Sequence, residues 1–270
     1  MDDRPIGVFD SGLGGLTTVR ELCRLLPEED IVYFGDTGRV PYGSRSRETI
    51  VKYARQDVAF LRTFDLKTIV IACGTVSTTA LDVLAAENPI PVLGVVAPAA
   101  RAAARATRSG SSGRIGTQAA IRSGAYERLI RAENPAARVL AQPCPLFVPL
   151  VENGRFRPGD VVIETVAAEY LAPLKEAGVD TLVLGCTHYP LLEKVIGAYM
   201  GPEVRLINSG AEGARAAADC LRERDALAGP GRGSCRCFVS DRQEDFSRLA
   251  STFLGWDVAQ AVEQVDISQY

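Results

Sequence analysis

VIACGTVSTTAL, residues 70–81, is the stretch from which the fold can be read. An apolar run beginning at Thr68 ends in a small residue and a cysteine, and a helical pattern follows at once. A continuous apolar run that gives way to a helix is expected of a parallel strand covered on both faces. The layout recurs in VLGCTHYPLL, residues 183–192, where two apolar residues, a small residue and Cys lead to Thr and an apolar helix face. Cys73 and Cys186 each therefore fall at the C-terminal end of a strand, the end at which open α/β sheets bind ligands. The echo suggests two related lobes, each offering one cysteine.

Outward from these segments, β-rich runs continue to alternate with helical ones. IGVF (6–9), IVYF (31–34), TIVIA (68–72), VLGV (92–95), RVLA (138–141), TLVLG (181–185), VRLI (204–207) and CFVS (237–240) read as strands. Residues 16–26 place Leu16, Val19, Leu22, Cys23 and Leu26 on one helical face, and residues 47–64 do the same with Ile50, Ala54, Val58, Leu61 and Phe64. Helices are also expected over 160–177, 209–226 and 243–254, the last ending at Gly255. Strand–helix alternation predicts an α/β protein with parallel sheets. Pro98 with the Ala/Arg-rich run after it, and SGSSG (109–113), mark a candidate lobe boundary, and GPGRGS (229–234) a flexible loop.

The chain has 270 residues, room for one large or two small domains. It is 47% hydrophobic and 23% charged, the composition of an ordinary globular protein. A net charge of −3 weighs against a nucleic-acid-binding domain, which carries a basic face. No basic start followed by an apolar run is visible, and no stretch approaches the roughly 18 apolar residues of a membrane span. A cytoplasmic protein is expected. Seven scattered cysteines read as free thiols in a reducing compartment. The single histidine, His188, excludes any site built from several His ligands, and Cys235 and Cys237 are too closely spaced for the usual zinc knuckle. No metal is expected.

A thiol at a strand end with a helix behind it meets unpaired N–H groups and a helix dipole, which favour the thiolate. Two such cysteines across a cleft would make an acid–base pair, able to take a proton from one face of a carbon and return one to the other. Cys23 reads as core. Cys144, between prolines, reads either way, and Cys220, Cys235 and Cys237 read as small buried hydrophobes. His188, two residues after Cys186, could tune that thiol, act as the acid itself, or make a structural hydrogen bond. Asp10 opens FDSGLGGLT (9–17), a strand followed by a glycine turn and a helix, which is an anion-binding arrangement. Asp10 itself suits an ammonium group, or a plain helix-start carboxylate. GDTGRVPYGSRS (35–46) is a second polar loop at a strand end, with Tyr42 and Gly43 as candidate contacts.

FDSGLGGLT, PYG (41–43), the strand–Cys–x–Thr at 73–75, SGAYE (123–127), CPLFVPLVE (144–152) and LGCTHYPLL (184–192) occur in this order across most of the chain. In this the sequence resembles the glutamate racemases of the aspartate/glutamate racemase superfamily. The resemblance implies an α/β fold of two similar lobes, each a mostly parallel sheet flanked by helices, with the active site in the cleft between them. The first lobe would hold residues 1–98 and 209–270, the second 99–208. It implies racemisation of glutamate with no cofactor, for peptidoglycan synthesis. Cys73 and Cys186 would be the two bases, Asp10 assisting the first, His188 and Glu152 the second. Asp10, Ser11, Tyr42, Gly43, Gly74, Thr75, Thr187 and His188 match the family's substrate contacts. The expected partners are glutamate and a second copy of the chain in a homodimer, with no nucleic acid and no membrane.

Two departures stand out. The family usually has Asn where this chain has Gly74, and RIGTQAAIRSGAY (114–126) lacks about three residues that usually extend its strand. These keep other readings open: a racemase of aspartate or another amino acid, a thiol hydrolase using Cys186 with His188, or a homologue impaired in catalysis that only binds its ligand.

Overall fold

The computed structural model describes residues 1–256 and 262–270. Its strands are β1 (Ile6–Asp10), β2 (Ile31–Gly35), β3 (Thr68–Ile71), β4 (Val92–Gly94), β5 (Ser111–Gly116), β6 (Arg138–Pro143), β7 (Thr181–Leu184), β8 (Arg205–Asn208), β9 (Cys235–Val239) and β10 (Val262–Gln264). They form two sheets, one of six strands in the order β10-β9-β2-β1-β3-β4 and one of four in the order β6-β5-β7-β8. Every pairing is parallel. The sheets are the two lobes, and the expected α/β architecture is found.

The helices are α1 (Leu16–Leu25), α2 (Arg47–Leu61), α3 (Gly74–Thr79), α4 (Leu81–Glu87), α5 (Val96–Ala106), α6 (Gln118–Ser123), α7 (Ala125–Glu133), α8 (Phe147–Glu152), α9 (Val161–Glu176), α10 (Glu193–Met200), α11 (Ser209–Glu223) and α12 (Gln243–Leu254). Local chemistry starts four of them. Ser46, Thr117, Asp160 and Asn208 each accept a hydrogen bond from a backbone N–H in the first turn of α2, α6, α9 and α11. The amphipathic face foreseen at 16–26 is buried, Leu16, Val19 and Leu22 sharing a cluster with Ala214, Ala217 and Ala218 of α11. Among the described residues no helix is long and apolar enough to cross a membrane.

SGSSG, read as part of a lobe boundary, runs into the second sheet: Ser111, Ser112 and Gly113 open β5, an inner strand paired to β6 and β7. Strand β10, after the last expected element, had no forecast, and its three residues are too few to show a pattern.

The β5 finding also accounts for the shortened segment at 114–117. The strand keeps six residues by drawing in two serines and a glycine from upstream. In consequence Arg114 sits mid-strand with no exposed surface. Its guanidinium donates to the Ala120 carbonyl at 3.2 Å, pairs with Glu127 at 3.3 Å and lies 4.9 Å from the Tyr126 ring centre. Its Nε and one Glu127 oxygen have no partner among the described residues. Burial lowers the Arg114 pKa, against the pull of Glu127.

A half-satisfied buried pair is costly to break and cheap to replace. Glu127→Ala should cost about 3–5 kcal/mol, whereas Arg114→Met with Glu127→Leu should be neutral or stabilising by about 1–4 kcal/mol. Urea unfolding of both variants checks this; equal destabilisation by the two would contradict it.

Candidate functional site

The C-terminal strand ends of both sheets open onto one cavity of about 430 Å³. It is lined by all the residues singled out in the sequence except Asp10: Ser11, Tyr42, Gly43, Cys73, Gly74, Thr75, Glu152, Cys186, Thr187 and His188. Cys73 stands two residues beyond the end of β3 at the N-cap of α3, and Cys186 two residues beyond the end of β7. One thiol thus comes from each lobe.

Around Cys73 burial dominates. Its Sγ lies 3.3 Å from Ser11 Oγ. Desolvation, with the charge of Asp10 behind it, pushes the thiol up to about 12, against hydrogen bonds from Ser11 and the Val76 amide. The helix-start placement alone predicts the opposite direction. A six-residue helix and two amide contacts do not offset removal of the sulfur from water.

On the opposite wall, His188 Nδ1 is 3.9 Å from Cys186 Sγ, and Nε2 is 2.9 Å from Glu152 Oε1. Glu152 is the last residue of α8, so this short helix brings the carboxylate to the imidazole. Burial by itself lowers the His188 pKa. Hydrogen bonds and charge from Cys186 and Glu152 overcome it and raise the imidazole to about 10.

Asp10 is buried behind the turn. Its Oδ2 accepts from the N–H groups of Gly12 at 3.2 Å and Gly15 at 3.1 Å, while Oδ1 is buried without a partner among the described residues. Burial raises its pKa, opposed by His188 and by the turn amides. It braces the glycine turn that carries Ser11 into the cavity. The Tyr42 hydroxyl also serves the frame, bonding to Asp36 and, at 3.1 Å, to Asp57.

The two lobes touch closely here. A Cβ at Gly74 would stand 2.6 Å from the Gly185 carbonyl oxygen, so the residue that replaces the family's Asn is one that the seam admits. Across the same seam Thr75 Oγ1 meets Thr117 Oγ1 at 3.0 Å, and Thr17 Oγ1 lies 2.9 Å from the Thr187 carbonyl. Sequence reading missed Thr117, whose only signal was a strand-end threonine capping α6. It also left Cys144 open. The structure places that thiol in the cavity wall beside Pro145, Val148 and Pro149.

Residues 9–217 match the Asp/Glu/Hydantoin racemase family. The chain is 49% identical over 256 residues to a glutamate racemase of Geobacter metallireducens, covering 94% of each chain. The fold is similar to that of glutamate racemase isoform RacE1 from Bacillus anthracis, with a TM-score of 0.93 and 38% identity over 98% of both chains. It is also similar to a Francisella tularensis glutamate racemase solved in complex with D-glutamate, with a TM-score of 0.92 and 37% identity over the full length of both.

With one histidine in the chain, a single imidazole resonance reports the Glu152–His188–Cys186 contact. In NMR it should titrate near 10, well above the ordinary 6.5, and Glu152→Gln should lower that midpoint by on the order of one unit. The stability that the charged ring contributes is complete below 6.5 and lost as pH rises through about 10. A wild-type midpoint below 7 would contradict the geometry.

Proposed function

The chain belongs to the Asp/Glu/Hydantoin racemase family, as an amino-acid racemase, and from that premise we propose that it interconverts L- and D-glutamate by a two-base mechanism needing no cofactor. The observation that carries the mechanism is the pair of thiols, one from each lobe, in the wall of a single cavity. One cysteine, as thiolate, takes the α-proton. The other, as thiol, delivers a proton to the opposite face of the carbanion. The roles swap with the direction of turnover, so atoms balance without an external acid or base.

Cys73 is held as a thiol by burial and by the charge of Asp10, the form that delivers a proton. Ser11 orients the Cys73 sulfur. His188, fixed by Glu152, hydrogen-bonds to the Cys186 sulfur. An amino-acid α-proton is weakly acidic, so the developing carbanion depends on preorganised donors in a cleft poor in water. Thr75, Thr187, the backbone of Gly43 and Gly74, and His188 supply them, with Asp10 and Tyr42 acting through the loops they brace. The substrate class is supported by the D-glutamate held in the Francisella structure.

We infer further, from the resemblance to the glutamate racemases, a cytoplasmic enzyme whose D-glutamate enters peptidoglycan synthesis, with lobes dividing near residues 98 and 209 and a homodimeric assembly.

The test is α-hydrogen exchange. Purified protein incubated in D₂O with each glutamate enantiomer should exchange the α-proton with inversion from both sides. Cys73→Ser and Cys186→Ser should each lower racemisation by about 10²–10⁴-fold. A single variant with full two-way activity would remove the two-base assignment. Exchange with aspartate but not glutamate would move the substrate.

A further inference from the structure

The loop 36–44, between β2 and α2, supplies a cavity wall through Val40, Pro41, Tyr42, Gly43 and Ser44. Beneath it lies an ionic cluster that the catalytic reading does not use. Asp36 and Asp57 have no exposed side-chain surface, and among the described residues Arg39 is the cation that pairs with both. Arg39 donates from Nε to Asp36 Oδ2 at 2.6 Å, from Nη2 to Asp57 Oδ1 at 2.8 Å and from Nη1 to Gln56 Oε1 at 2.5 Å. The guanidinium also stacks 4.2 Å over the Tyr53 ring.

Counting hydrogens decides the charge state. Asp36 receives three donors: Arg39, the Tyr42 hydroxyl, and Ser240 Oγ at 2.7 Å. It is a fully supplied carboxylate. Asp57 Oδ1 has its donor in Arg39. Asp57 Oδ2 lies 3.1 Å from the Tyr42 oxygen, whose single hydrogen can serve only one of the two carboxylates, and Asp36 is the nearer. Without a further proton, two oxygen lone pairs would oppose each other in a site closed to water. Two ionised carboxylates against one guanidinium would also leave a buried net charge of −1 behind the wall of a cleft that admits an anionic amino acid.

We propose that Asp57 is a neutral carboxylic acid at neutral pH, donating from Oδ2 to Tyr42, and that it is a positioning residue for the cavity wall at 40–44. The chain of donors then runs Asp57 to Tyr42 to Asp36, with Arg39 bridging both ends, and the cluster is electrically neutral. The direction of the Asp57 pKa agrees: burial and the neighbouring Asp36 hold it well above the ordinary carboxylate range, with Arg39 and Tyr42 opposing. The groups facing Asp57 are Asp36, Arg39 and Tyr42 from the loop, with Gln56 and Tyr53 of its own helix and Ser240 beyond Asp36. This deepens the racemase reading but rests on it only for the kinetic measurement.

The first measurement needs no activity. Unfolding of wild type and Asp57→Asn is followed from pH 5 to 8. A folded-state proton on Asp57 is released on unfolding, so the wild-type folding constant should fall about tenfold per pH unit relative to the Asn variant. Parallel curves would show an ionised Asp57 and overturn the proposal. The second measurement is KM for glutamate. Asp57→Ala and Tyr42→Phe should raise it roughly tenfold or more with a smaller change in kcat, a loss of about 1.4 kcal/mol of binding. Asp57→Asn, whose amide can donate to Tyr42 and accept from Arg39, should stay within about threefold of wild type. An Ala variant with wild-type KM would overturn the positioning role. Failure of the racemase reading shows separately, as absence of exchange in the wild type, while the unfolding curves still decide the proton.

Discussion

The Gly185 carbonyl stands where a side chain on Gly74 would begin, and the rest of the cleft is arranged around that approach. Backbone meets backbone between the lobes, so the two cysteines that follow β3 and β7 come to share one small cavity rather than two open strand ends. The same proximity brings Thr75 to Thr117 and Thr17 to the Thr187 carbonyl, polar contacts that add to the apolar cluster shared by the two lobes. The Gly185 amide in turn bonds to Ile115 near the end of β5. The seam therefore connects α3 of one lobe to the strand of the other that carries the shortened segment.

Closing a site this tightly makes desolvation the largest influence on its titratable groups. Cys73 and Asp10 both move toward their neutral forms for that reason, although each lies near helix-start amides. Only where a specific partner is in contact does the charged form win, as at His188 between Glu152 and Cys186. Protonation in the cleft is thus set by contact geometry more than by the protein's overall charge. The cluster under loop 36–44 lies one layer deeper, where two buried carboxylates share one guanidinium and one tyrosine hydroxyl.

Much of this was legible in the sequence. The strand ends bearing Cys73 and Cys186 could be placed because parallel strands buried on both faces read as unbroken apolar runs. His188, Glu152 and Ser11 followed from motif and resemblance. Other parts were hidden for physical reasons. Strand β5 is built from Ser, Gly and Arg, so its pattern is that of a loop, and only its two neighbours make it a strand. Asp36, Arg39 and Asp57 are charged residues of the kind usually found in solvent. Their burial depends on the loop at 36–44 folding back over α2, which no local periodicity encodes. Tyr42 was noticed as a candidate contact, while the bonds of its hydroxyl to Asp36 and Asp57 carried no sequence signal.

The strand order has a consequence for how the chain comes into being. All four strands of the second sheet lie between Ser111 and Asn208, whereas the first sheet needs β9 and β10 from the far end of the chain. On a ribosome the second lobe can close while the first still waits for its outer strands. Until Cys235–Val239 arrives, the apolar strand Ile31–Gly35 has an open edge, the surface on which strands of other chains pair. Products truncated before residue 235 would keep that edge exposed, so the last stretch of synthesis decides whether the first lobe is sealed or left able to aggregate.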